Sequence, residues 1–130
     1  MLFRSLGIAR DFPLFGTGAG TFADAMARYQ QSATYVLFNQ AHNEYLHLLA
    51  EGGLVGMVVY GVAAACYLAA ARRALQDDTS PQRIMRVAAL AALAGVAVQS
   101  LFETGLRTPA NLLLFVVTAA IAIRSREPQR

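Results

Sequence analysis

The sequence predicts an all-α membrane protein, three transmembrane helices preceded by an outward-facing helix-turn-helix segment. Of its 130 residues 56% are apolar and 15% charged, and the mean hydropathy is +0.42, a balance too greasy for an ordinary water-soluble domain. Uncharged runs occupy 52–71, 87–102 and 108–123. All eleven basic residues are arginine, and they flank these runs instead of forming a patch, which suits membrane anchoring and argues against a nucleic-acid partner. The low charge excludes a disordered chain. A single cysteine, Cys66, excludes a disulfide-stapled scaffold.

Residues 1–51 form the outward segment, with three arginines against Asp11, Asp24, Glu44 and Glu51. Met1 to Ala9 lacks the apolar stretch of a signal peptide. An outward N-terminus therefore implies preceding helices, and the chain reads as the C-terminal piece of a larger polytopic protein. Within Phe12 to Gly20, three glycines at alternate positions suit a plain turn that needs positive φ. A phosphate cradle is the weaker reading, since no strand or βαβ unit surrounds the glycines. Thr21 followed by Asp24 resembles a capping box, and Phe22, Met26 and Tyr29 then share one face of an interfacial helix. Gln30 to Gln40 has no clear period and reads as a loop exposed to solvent or sugar.

The twenty residues 52–71 cover about 30 Å as a helix, the thickness of a bilayer core. Gly52, Gly56, Gly61 and the run Ala63 to Ala65 let neighbouring helices approach closely. Residues 72–86 form a polar loop with Asp-Asp-Thr-Ser-Pro turn chemistry. The runs 87–102 and 108–123, each sixteen residues and about 24 Å long, form a transmembrane hairpin over 87–123, turned by Glu103 to Arg107. Seven arginines in 72–86 and the tail 124–130, against four elsewhere, place both of those segments in the cytoplasm.

The segment from Ala41 to Gly53 holds both histidines. Read as a helix, it sets His42 on the face of Tyr45, Leu46 and Leu49, with His47 about 140° away beside Asn43 and Glu51. Spacing of i and i+5 is wrong for a zinc pair, so no metal is expected. His42 is a candidate general base, since imidazole titrates near neutrality; the alternative is an interfacial histidine with a hydrogen-bonding role. Asn43 and Glu44 either orient His42 or a sugar hydroxyl, or are solvated residues of the first helical turn.

Several segments together resemble the O-antigen ligase and polymerase superfamily. These are Asp11 to Phe22, Tyr29, Ala41-His42-Asn43-Glu44-Tyr45-Leu46, and Glu51-Gly52-Gly53-Leu54-Val55-Gly56. Gln99-Ser100-Leu101-Phe102-Glu103 and Pro109-Ala110-Asn111 resemble that family's late helical hairpin. The resemblance implies the C-terminal part of a multi-pass glycosyltransferase of the bacterial inner membrane, with residues 1–51 in the periplasm. Such an enzyme moves a glycan from an undecaprenyl pyrophosphate carrier to a hydroxyl of an acceptor lipid, protein or glycan, without metal or cofactor. Its partners are those substrates and the membrane lipids. His42 aligns with the family's essential histidine, while arginines neutralise the leaving pyrophosphate. The family's main catalytic arginines precede Met1, which leaves Arg4 and Arg28, with Asn43 and Glu44, as the substrate-binding candidates in this chain. Gln99 stands where many relatives have a second histidine, and His47 falls at a variable position expected on the surface. The alternatives are a polymerase of the same superfamily and a non-catalytic membrane module that binds lipid-linked glycan or another subunit.

Overall fold

A computed structural model describes residues 2–29, 42–76 and 80–124, with backbone alone for residues 2–4 and 29. The described residues are all-α: α1 (Leu2–Asp11), α2 (Phe22–Tyr29), α3 (Glu44–Gln76), α4 (Arg83–Gln99) and α5 (Pro109–Ile123), with a 3-10 turn at Gly105–Arg107 and no strand. The expected loop 30–40 and the side chain of Tyr29 lie outside the described residues. Two compact units make up the chain, one of Met1–Val62 with Gln99–Gly105, the other of Ala63–Val98 with Leu106–Arg130.

The first unit is built from three short helical faces. Each turns positions i, i+3 and i+4 inward: Ser5, Ile8 and Ala9 from α1, Phe22, the partly buried Ala25, and Met26 from α2, and His47, Ala50 and Glu51 from α3. This is the spacing that puts side chains in one stripe of a helix. Ile8, Phe22, Met26 and Ala50 form the apolar centre. Burying Phe22 contributes about 1.5–3 kcal/mol. The expected Phe22 and Met26 face is therefore present. The expected capping box is not, because the Thr21 hydroxyl bonds backwards, 2.8 Å from Gly18 O and 2.8 Å from Thr17 Oγ1.

α3 breaks at Gly53, whose φ of 58° and ψ of −160° belong to no helix. A break inside a helix orphans carbonyls before it and N–H groups after it, and a buried orphan is costly. The glycine turn supplies the missing partners. Thr17 N–H donates to Ala50 O at 2.9 Å and Gly18 N–H to Glu51 O at 2.9 Å, while Pro13 O accepts from Leu54 N–H at 2.8 Å and Leu14 O from Val55 N–H at 3.0 Å. Gly16 has to be glycine, because a Cβ there would collide with Glu51 C and O. The apolar helix thus starts afresh at Leu54, two residues inside the expected 52–71 boundary, and runs on to Gln76, into the expected loop 72–86.

In the second unit, Ala89 and Leu93 of α4 pack with Ala122 of α5, and Tyr67, Leu90, Phe115 and Ala119 surround them. Early α4 meets late α5, so the two helices run antiparallel. Tyr67 Oη donates to Ala119 O at 3.0 Å. Pro109 opens α5 at its first turn, where a missing N–H costs nothing. Leu112, Leu113, Leu114 and Val116 of α5 are exposed. Among the described helices α3 is long and apolar enough to cross a membrane; α4 has seventeen residues, and α5, though apolar, has fifteen.

Candidate active site

His42 sits just before α3, not on it. Its φ is 53°, a left-handed conformation that non-glycine residues adopt rarely and histidine more readily than most. Asn43 caps the helix: its Oδ1 accepts the Leu46 N–H at 2.9 Å, and its carbonyl accepts the His47 N–H at 3.0 Å. The expected placement of His42 on a helical face with Tyr45, Leu46 and Leu49 is thereby corrected. A capping residue has non-helical backbone, so the residue ahead of it escapes the 100° rotation.

The turn after α4 closes on this N-terminus. Asn43 Nδ2 donates to Leu101 O at 2.8 Å, and Glu44 N–H donates to Ser100 O at 2.9 Å, satisfying one of the N–H groups that a helix start leaves unpaired. These two ties bring Glu103 opposite His42, with Nδ1 3.4 Å from Glu103 Oε1. Both side chains are about half exposed, at 55% and 50%. The same Glu103 oxygen accepts the Thr104 N–H at 3.1 Å. The result is an imidazole open to a ligand on one side and flanked by a carboxylate on the other.

One turn further on, His47 is 2% exposed, which overturns the expectation of a surface residue. It stacks on Phe22, with ring centroids 4.2 Å apart and planes at 25°. Its Nε2 lies 3.2 Å from Glu51 Oε1, which also accepts the Phe22 N–H at 3.2 Å. A carboxylate at the start of α2 is favourably placed against the helix dipole. Burial of these polar groups is tolerable because they are paired with one another. His47 and Glu51 thus join α2 to α3 and hold the platform on which His42 stands.

The other candidates are less drawn together. Arg28 is exposed in the last turn of α2, and Arg4 lies in α1, its side chain outside the description. Glu44 is partly buried in the first turn of α3. In the glycine turn, the Thr17 and Gly18 amides are taken by Ala50 O and Glu51 O, and the Gly16 amide by Phe12 O at 3.1 Å. These three amides of the turn are occupied, which favours the plain-turn reading. Glu103 is the residue that sequence reasoning passed over as a site residue, placing it in the turn of the hairpin. Its signal lay in the Gln99-to-Glu103 segment of the family resemblance.

No curated protein and no solved structure matches the chain. Residues 2–61, which contain α1, the glycine turn, α2, His42 and the break in α3, match the family model described as O-antigen ligase. That match supports membership of the O-antigen ligase superfamily.

Proposed function

We propose that the chain carries the acceptor-activating part of an O-antigen ligase, moving a glycan from an undecaprenyl pyrophosphate carrier onto an acceptor hydroxyl at the periplasmic face of the bacterial inner membrane. The family match and the apolar stretch of α3 support a membrane protein with a role in O-antigen ligase or polymerase chemistry. The observation that carries the finer reading is the placement of His42. It is half exposed, and α3 reaches its apolar stretch at Leu54 within roughly 15 Å along the axis. A lipid-borne donor and a polar acceptor meet at that depth.

In this reading α3, α4 and α5 each cross the bilayer, with residues 1–51 outside and both 77–82 and the tail inside. The arginine distribution and the exposed leucines of α5 support this arrangement. His42 takes the proton of the acceptor hydroxyl as that oxygen attacks the anomeric carbon. The bond from that carbon to the pyrophosphate breaks, and the electron pair leaves with the phosphate oxygen. Arg28 and Arg4 offer guanidinium forks to the charge that develops there. Asn43 and Glu44 border the acceptor. The test is His42→Ala in the full-length protein. Glycan transfer is expected to fall by about 10²–10⁴-fold, with membrane insertion unchanged. Undiminished transfer refutes the assignment.

A further inference from the structure

His42 and Glu103 are sixty-one positions apart, yet their separation does not depend on two long side chains finding each other. The residues just after His42 are bonded to the residues just before Glu103, Asn43 Nδ2 to Leu101 O at 2.8 Å and Glu44 N–H to Ser100 O at 2.9 Å. The left-handed backbone of His42 turns its ring toward the same side, where Nδ1 meets Glu103 Oε1 at 3.4 Å. The Thr104 N–H steadies that oxygen at 3.1 Å. As a surface ion pair this contact is worth little to folding, because both groups are half in water. Yet a left-handed residue, a cap and two hydrogen bonds to the Ser100 and Leu101 carbonyls all converge on it.

We propose that Glu103 is a positioning residue for His42. It accepts the Nδ1–H, which fixes the tautomer that presents the Nε2 lone pair to the acceptor hydroxyl. When Nε2 takes the hydroxyl proton, the ring becomes an imidazolium, which the adjacent carboxylate stabilises; the Nδ1 proton stays on the ring and Glu103 remains ionised. At 3.4 Å the contact is longer than a formed hydrogen bond, and closing by a few tenths of an ångström on substrate binding is usual for catalytic contacts. This inference rests on the reading of His42 as the acceptor-activating base.

The experiment measures kcat and KM for the acceptor with full-length protein in native membranes, for Glu103→Gln, Glu103→Ala, His42→Ala and the double variant His42→Ala, Glu103→Ala. Glu103→Gln keeps size and an acceptor oxygen but loses charge, so its expression and insertion serve as the folding control. The expected result is a kcat about 10–100-fold lower for Glu103→Ala, an intermediate loss for Glu103→Gln, KM within about twofold, and no further loss when Glu103→Ala is added to His42→Ala. A purely structural role would raise KM or deepen the loss in the double variant, and either outcome overturns the proposal. If His42→Ala abolishes transfer while both Glu103 variants keep the wild-type kcat, the positioning role falls and the base assignment survives. If His42→Ala transfers normally, both fall together.

Discussion

Gly53→Ala is the most informative perturbation of the scaffold. A Cβ at Gly53 would lie 2.5 Å from Gly16 N and 2.5 Å from the carbonyl carbon and oxygen of Leu14. These are backbone atoms and cannot swing aside. The backbone at φ 58° and ψ −160° is open to glycine and to almost nothing else, a strain of about 1–3 kcal/mol for alanine. Relief requires the turn to lift away from α3, which breaks the four backbone–backbone bonds between Pro13–Gly18 and Ala50–Val55. At about 1 kcal/mol net each, that route costs roughly 4 kcal/mol. Between them the two routes lower the free energy of local opening by about 1–4 kcal/mol, so hydrogen exchange at Thr17, Gly18, Leu54 and Val55 should speed up by roughly 5- to 10³-fold. Mass-spectrometric exchange on the protein in nanodiscs reads this directly. Gly61→Ala is the control, since a Cβ there meets open space and alanine favours the helix by about 1 kcal/mol. Exchange in Gly53→Ala as slow as in the wild type would refute the argument that the turn exists to complete a broken helix.

Three further outcomes are expected. Glu51→Ala leaves the Phe22 N–H and His47 without their carboxylate; it should loosen α2 by about 2–3 kcal/mol and speed trypsin cleavage after Arg28, and an unchanged rate would contradict the coupling of α2 to α3. Asn43→Asp keeps the oxygen that caps Leu46 but sets an oxygen against Leu101 O, costing about 1–2 kcal/mol; a lower thermal stability in detergent is expected, and Asn43→Ala, which loses the cap as well, should fall further. His42→Ala should leave that stability unchanged, because its side chain is half exposed; a large drop would show that the imidazole is structural.

How much of this was legible in the sequence depends on which physical signal each feature emits. The apolar helix announced itself through uncharged length, and the glycine turn through residues that tolerate positive φ. The packing of the first unit was harder to read, because its buried stripe on α3 is His47, Ala50 and Glu51, two polar residues and one small one. Apolar periodicity pointed to the opposite face, Tyr45, Leu46 and Leu49, of which Tyr45 is exposed. Burial of His47 depends on partners in α2, more than twenty residues earlier, and no local pattern shows that pairing. The break at Gly53 was hidden for a related reason, since Gly52 and Gly53 are uncharged and count toward the length of a membrane run. Likewise His42 and Glu103 meet because hydrogen bonds from Asn43 and Glu44 join two distant turns.

Position 42 must face the periplasm for any of this chemistry to occur. The direct measurement replaces His42→Cys in a Cys66→Ala background, which removes the chain's own exposed cysteine, and treats intact cells with a maleimide that cannot cross the inner membrane. Labelling without breaching that membrane is the expected result. Labelling only after the inner membrane is opened would put the imidazole in the cytosol, away from the acceptor, and contradict the proposed reaction.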